Sequence, residues 1–404
     1  MSKAMKSVGV RSSEVAVGLI LASQFAQLVG TSLEQVMVSW LVFDHSGSSI
    51  LLGVVGFLTG LFAAVSALLA GAWSDRHEPR LVLIASQTIA AVISVVFLVV
   101  GLLGRLETSA ILILAMAASL CSGPSIPMQQ ALLASVVGRR DIGATIASSS
   151  IVYDLARLIG PAAGGFILAQ ASVSAALLAG MFCHALSASV LLVLPTPTRV
   201  QTISSDLRRA IVEGFRHVVS SRPILAIVGL SACVCVSTST LTVLMPVMAV
   251  RLGSTSQTLG LLLATLSAGA IGGSLFQRFN PELMRLPRRI ASGAIILSVS
   301  MVLFAFAPSL LLALVALLGA GLALNLVMTS CTTVLLSITN EEIRGRVMSC
   351  FALSFMGVAP LSGLSAGVAA EMASAPFTIS AAAVVSLLAG ALFLVVVAPL
   401  KRML

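Results

Sequence analysis

Residues 50 to 103 read ILLGVVGFLTGLFAAVSALLAGAWSDRHEPRLVLIASQTIAAVISVVFLVVGLL. Two apolar runs, 50–72 and 81–103, flank a short loop that holds all four formally charged residues of the stretch: Asp75, Arg76, Glu78 and Arg80. Each run has the length of about 20 residues that a helix needs to cross the hydrocarbon of a bilayer. A lipid-exposed backbone must satisfy its own hydrogen bonds, so each run should be an α-helix. The runs lack the ten-residue alternation of a membrane β-barrel strand.

The pattern repeats outward over the whole chain. Of 404 residues, 58% are hydrophobic and 9% charged. A soluble domain carries about 25% charged residues, so a soluble globular enzyme is excluded. Hydropathy divides the chain into twelve spans: 15–43, 50–72, 81–103, 109–133, 143–170, 172–194, 224–250, 258–277, 290–306, 309–336, 347–370 and 376–398. The expected class is an all-α membrane protein with twelve transmembrane helices. Lys3, Lys6 and Arg11 before the first run imitate a secretory signal. That run is too long for a signal core and has no small-residue cleavage site, so it is expected to be retained as the first span.

The net charge of +9 would suggest nucleic acid in a soluble protein. Here it reports orientation, because basic residues gather on cytoplasmic loops. All but three of the 23 Lys and Arg fall on the side of the N-terminus. Arg105 and Arg251 fall opposite, and Arg157 lies within a span. Eleven or thirteen spans would scramble this asymmetry, so both termini are expected in the cytoplasm of a bacterial cell, with the chain in the inner membrane. No nucleic-acid partner is implied. Six cysteines (121, 183, 233, 235, 331 and 350) lie in apolar runs without metal or redox spacing and read as small core residues.

The longest connection, 195–223, sits at the middle of the chain. Leu207, Ala210, Ile211, Gly214, Phe215, Val218 and Val219 mark one face of a helix there, with Arg208, Arg209, Glu213 and Arg216 on the other. Such a basic amphipathic helix can lie on an anionic lipid leaflet or simply join two halves. Two matches support a duplication. Asp141-Ile142-Gly143 precedes span 5 and Glu342-Ile343-Arg344 precedes span 11, an offset of 201. Gly71-x-x-x-Asp75-Arg76 ends span 2 and Gly273-x-x-x-Gln277-Arg278 ends span 8, an offset of 202. The expected organisation is an N-terminal six-helix bundle over 1–194, a linker over 195–223 and a second, parallel six-helix bundle over 224–404. Parallel repeats of this kind place a substrate path where the halves meet.

Ionisable residues at membrane depth are costly and face water or a partner by default. Glu34 stands out in span 1, where Gln24, Gln27, Thr31, Glu34 and Gln35 form a stripe at helical spacing. Glu34 is a candidate proton or substrate-charge site, or else an interfacial acid reaching water. Asp154 and Arg157, three apart in span 5, can pair; protonating Asp154 would then free Arg157 for an anionic substrate. Tyr153 sits beside them as a wall or as packing. Asn325 in span 10 and His184 in span 6 are lone polar residues, more often packing groups than ligands. Pro161, Pro246 and Pro360 should bend spans 5, 7 and 11. No phosphate-cradling Gly-x-x-x-x-Gly-Lys loop, His-Glu-x-x-His or Gly-x-Ser-x-Gly occurs. The chain therefore reads as neither an ATPase nor another enzyme, with no cofactor, metal or catalytic residue expected.

Gly71-Ala-Trp-Ser-Asp75-Arg76-His-Glu-Pro-Arg80 resembles the loop signature of the major facilitator superfamily. Ala156-Arg157-Leu-Ile-Gly160-Pro161-Ala-Ala-Gly164-Gly165 resembles that superfamily's exporter motif. The stretch Gly30 to Trp40, Glu213-Gly214-Phe215-Arg216 and Arg344-Gly345-Arg346-Val347-Met348-Ser349 are similar to the branch that contains the bacterial enterobactin exporter and macrolide efflux proteins. The resemblance covers nearly the whole chain. It departs at Glu78, where the signature has a second Gly, and at Pro79, where it has a basic residue. Thr31 stands where the branch often has an acid, with Glu34 one turn later. The resemblance implies the major facilitator fold and secondary export of a small organic molecule, a siderophore or drug-like compound, driven by proton antiport. Import of a small metabolite on the same fold is the alternative. Taken with the residue reading above, the candidates for proton or substrate coupling are Glu34, Asp154, Arg157 and Gln27, with Asn325 added because the resemblance implies that span 10 lines the path. The candidates for gating are Gly71, Asp75, Arg76, Arg80, Gly160 and Pro161. The implied partners are the small-molecule substrate, protons and membrane lipids, with the protein acting as a monomer.

Overall fold

The computed structural model describes residues 3–74, 78–137, 142–194, 215–253, 255–279, 286–339 and 341–397. Among them the regular structure is helical. The first seven helices are α1 (Lys3–Ser46), α2 (Ser49–Ser74), α3 (Pro79–Leu102), α4 (Thr108–Ser122), α5 (Ser125–Val136), α6 (Ile142–Gln170) and α7 (Val173–Val193). Eight more follow: α8 (Arg222–Val243), α9 (Met245–Leu252), α10 (Ser256–Phe279), α11 (Leu286–Ala305), α12 (Leu310–Ile338), α13 (Glu341–Met356), α14 (Val358–Ala373) and α15 (Ala375–Val397). Twelve stretches are long and apolar enough to cross a membrane, from Glu14–Ser46 to Ala375–Val395. They are the twelve runs read from hydropathy.

Helix ends follow local chemistry. Ser172 caps α7, its hydroxyl accepting from the Ala175 amide at 3.1 Å. Gly104, with φ +67, closes α3: the amides of Gly104 and Arg105 donate to Gly101 and Val100 carbonyls, each at 3.0 Å. Three spans consist of two helices each. The break before α9 falls at Leu244, beside Pro246, and the break before α14 falls at Gly357, near Pro360. A third break, at Gly123-Pro124 in span 4, separates α4 from α5. Pro161, by contrast, lies inside an uninterrupted α6.

The chain separates into two compact units: Met1–His45 with Leu58–Ile203, and Ser46–Phe57 with Ser204–Leu404. In the first, α3 lies along α7, and Ala16, Ile20, Leu83, Met128, Leu132 and Leu191 form a buried apolar core. In the second, α12 packs against α10 and α11, and α15 packs against α8 and α11. The beginning of α2 belongs to this second unit. Its Ser49 amide donates to Glu371 at the end of α14 at 2.9 Å, a carboxylate at a helix N-terminus. A Cβ on Gly53 would lie 2.9 Å from the Gly363 carbonyl oxygen, so the helices touch backbone to backbone. Outward side chains such as Leu102, Val193 and Leu311 are highly exposed, the surface expected against lipid.

Glycine wedges occur in both units. Gly123 presses between the Ala63 carbonyl and the Ala67 amide of α2; Gly321 presses between the Leu266 carbonyl and the Ala270 amide of α10. In the second unit Gly269 also presses between the Leu318 carbonyl and the Leu322 amide of α12. At each of these glycines the absence of a side chain lets two helices meet backbone to backbone. Of the central connection, residues 215–220 are helical. Val218 is buried there, whereas Phe215 and Val219 are exposed. The rest of that amphipathic stretch lies outside the described residues.

Candidate functional site: an acid and an imidazole inside the first unit

Helix α1 carries the polar stripe, and three of its buried polar residues meet three different helices. Ser23 Oγ lies 2.8 Å from Ser187 Oγ of α7. Gln24 accepts from Ser149 of α6 at 2.9 Å. Gln27, buried, accepts from the Gln129 amide of α5 at 2.6 Å. Gln35 is exposed instead. The stripe therefore does not face one path: Gln24 and Gln27 bind the first unit together, and Gln35 turns away.

Glu34 differs from its neighbours because it meets two groups. Its Oε1 accepts a 2.5 Å hydrogen bond from Ser94 of α3. Its Oε2 lies 3.4 Å from His184 Nε2 of α7, with side-chain exposures of 16% for Glu34 and 3% for His184. On the far side of the ring, His184 Nδ1 lies 2.9 Å from Gln87 Oε1 of α3. Glycines make the space. A Cβ on Gly180 would lie 2.9 Å from Glu34 Oε1, and one on Gly30 would lie 3.3 Å from His184 Nε2. A side chain at either position would displace the acid or the ring.

Gln87 and Ser94 are residues that sequence reading passed over, and His184 is one that it read as more often a packing group than a ligand. Gln87 and Ser94 stand seven apart on α3, and Gly180, His184 and Ser187 fall at i, i+4 and i+7 on α7. Each set marks one polar or small face of an apolar helix. That spacing is the signal that could have found them.

Asp154 and Arg157 do not form the ion pair that their spacing allows. Among the described residues no bridge joins them; Arg157 instead sits over Tyr153, 5.6 Å from the ring centroid, with Nη1 3.5 Å from the hydroxyl. The guanidinium thus lies against the ring face, a cation–π placement. Arg157 is exposed. Gly160 and Gly164 let α6 approach α1: a Cβ on Gly160 would lie 2.7 Å from Ser32 Cβ, and one on Gly164 3.1 Å from Leu33 Cα. Asn325 belongs to the second unit, where its Oδ1 accepts from Gln277 at 3.1 Å. It is a tie between α12 and α10.

Of the loop residues, Asp75 and Arg76 lie outside the described residues, and Gly71 is helical near the end of α2. Arg80 caps the end of α7, Nε donating to the Leu191 carbonyl at 2.8 Å and Nη2 to that of Leu192 at 2.9 Å. A cation there complements the negative helix end.

Comparison with known proteins agrees with this architecture. Residues 12–403 match the family described as transmembrane secretion effector. The chain is 27% identical over 386 residues to the multidrug efflux pump Tap of Mycolicibacterium fortuitum, covering 92% of this chain and 93% of that one. It is 26% identical over 189 residues to the staphyloferrin A transporter of Staphylococcus aureus (strain NCTC 8325 / PS 47). That second match spans 46% of this chain and about half, 47%, of the relative. Among solved structures, a bacterial homolog of the human lysosomal transporter Spinster superposes with a TM-score of 0.73 at 16% identity, covering 97% of both chains. The nucleoside transporter NupG superposes with a TM-score of 0.71 at 15% identity, covering 95% of this chain and 98% of that one. Twelve apolar spans and a family match over nearly all residues lead to one conclusion: the chain belongs to the transmembrane secretion effector family of the major facilitator superfamily, whose members transport small molecules and are not enzymes.

Proposed function

We propose that this protein exports a small organic molecule, a siderophore or an amphipathic drug-like compound, from the cytoplasm in exchange for protons. The observation that carries the reading is Glu34, an acid at membrane depth with a hydroxyl donor on one oxygen and an imidazole facing the other. A carboxyl group placed so deep is expensive unless its charge changes during the cycle. Arg157 adds support. A guanidinium exposed on the lipid side would cost about 2.5–3.5 kcal/mol at the centre of a span, so the exposed face of α6 is read as lining water and as a seat for substrate charge. The direction of transport rests on the segment Ala156 to Gly165 and on the similarity to the multidrug efflux pump Tap of M. fortuitum.

In this reading the bundles 1–194 and 224–404, joined by 195–223, alternate access to a path they share. The loop from Gly71 through Asp75, Arg76 and Arg80 and the segment Gly160-Pro161 act as gates, with Gln27 and Asn325 holding helices in register. Asp154 is a second acid available to protons. The protein works as a monomer in the bacterial inner membrane, with both termini in the cytoplasm and lipid against its apolar flanks.

Inverted membrane vesicles with an acidified lumen test the proposal, offered a panel of amphipathic antibiotics and of hydroxamate and catecholate siderophores. An exporter of this kind takes one of them up and releases lumenal protons as it does so. Glu34→Gln should abolish that release at unchanged protein abundance. Full-rate, proton-linked uptake by both Glu34→Gln and Asp154→Asn would refute the coupling. Uptake of substrate by right-side-out vesicles instead would indicate import.

A further inference from the structure

We propose that the coupling proton is held jointly by Glu34 and His184, with Gln87 fixing the imidazole so that its second nitrogen faces the acid. The inference rests on the proton-coupled reading above and adds the identity of the second partner.

The argument begins at the far side of the ring. Gln87 Oε1 can only accept, so at 2.9 Å it takes the proton of His184 Nδ1. A neutral imidazole with its hydrogen on Nδ1 has a lone pair on Nε2. That lone pair points toward Glu34 Oε2, another acceptor, at 3.4 Å. The separation exceeds a formed N–H···O bond. His184 Nε2 is correspondingly a buried polar atom without a hydrogen-bond partner. Two acceptors facing each other across that gap are joined by one proton and no more.

The proton has two resting places and the balance is the same in both. It can sit on Oε2 as a carboxylic acid that donates to Nε2. It can equally sit on Nε2, giving an imidazolium that donates to a carboxylate. Either way the loaded pair is neutral, and the unloaded pair carries one negative charge. Ser94 steadies that charge through Oε1. The other titratable groups that face Glu34 are the thiols of Cys121 on α4 and Cys183 on α7. Among the described residues no Lys or Arg forms an ion pair with Glu34, so nothing there neutralises the carboxylate except the proton itself. The two helices that define the gap, α1 and α7, approach closely only because Gly30 and Gly180 carry no side chain. A small shift between them makes or breaks the shared site, which ties protonation to conformation.

The test uses the full chain in lipid nanodiscs and needs no substrate. Infrared titration follows the carboxylic C=O band assigned through Glu34→Gln, and nitrogen NMR of labelled histidine follows His184 among the chain's 4 histidines. A shared proton gives one common midpoint in both signals. His184→Gln should move the carboxyl midpoint by about one pH unit, a tenfold change in proton affinity. Gln87→Met should shift the nitrogen signals toward the other tautomer. Two unrelated midpoints in the unmutated protein, or a carboxyl midpoint unmoved in His184→Gln, would overturn the pairing. The nitrogen measurement stands even if a variant fails to fold. If Glu34→Gln stops proton-linked transport while the midpoints are independent, only the pairing falls. If transport ignores Glu34→Gln while the midpoint is common, the proton-antiport reading falls and the pair remains.

Discussion

Glu34 was legible in the sequence because a carboxylate in an apolar run has few inexpensive explanations. His184 was not, because a single histidine on an apolar helix is more often a packing group. Its meaning depends on the register of three helices far apart in the chain, which periodicity does not encode. Gln27 stood in the polar stripe as a coupling candidate, and the structure places it buried against Gln129. Interhelical hydrogen bonds in membrane proteins average about 0.6 kcal/mol and reach about 1.7. Gln27→Leu and Gln129→Leu should each lower stability by an amount in that range or somewhat above it. The double variant should lose less than the sum, because neither amide is then left unpaired. Thermal unfolding in detergent of the two single variants and the double reads this directly.

At the scale of elements, composition and length fixed the twelve spans, because lipid leaves a helix little choice. Breaks were only partly legible. Pro246 and Pro360 marked two of them, while the break at Gly123-Pro124 escaped notice because the apolar run continues through it. Pro161, in contrast, does not interrupt α6. The turn between α14 and α15 carries a different signature. Ser374 has φ 105 and ψ 154, a region that only glycine adopts without strain. Ser374→Gly should therefore raise stability, by up to the roughly 1–3 kcal/mol such strain costs, and the unfolding temperature in detergent should rise. An unchanged or lower value would mean that the serine side chain contributes more than its backbone loses.

For the whole molecule, the internal offset of about half the chain was visible as two short matches. The structure adds glycine wedges that no sequence match revealed, Gly123 against Ala63 and Ala67 in one unit, Gly321 against Leu266 and Ala270 and Gly269 against Leu318 and Leu322 in the other. The expected bundle 1–194 holds all of α2, and residues 49–57 of that helix cluster with the second unit. The close glycine contacts with α14 that cause this are invisible to hydropathy. Orientation rests on the charge asymmetry alone. Tags at both termini should be shielded from antibody in intact spheroplasts and reached in inverted vesicles. A tag read from outside would reverse the assignment of sides, and with it the sense of export.

The cap that Arg80 places on α7 has a consequence beyond helix electrostatics. Arg80 and Gln87 are seven residues apart on α3, and their respective partners, Leu191 and His184, are seven apart on α7 in the opposite direction. The two contacts are rungs of one ladder, about 10 Å apart at 1.5 Å per residue. Sliding one helix along the other by a single residue would detach both at once, so the imidazole reports the position of the end of its helix. Inserting one alanine between Arg80 and Gln87 should throw the ladder out of step. The histidine nitrogen signals would then change while the lipid-facing spans stay folded.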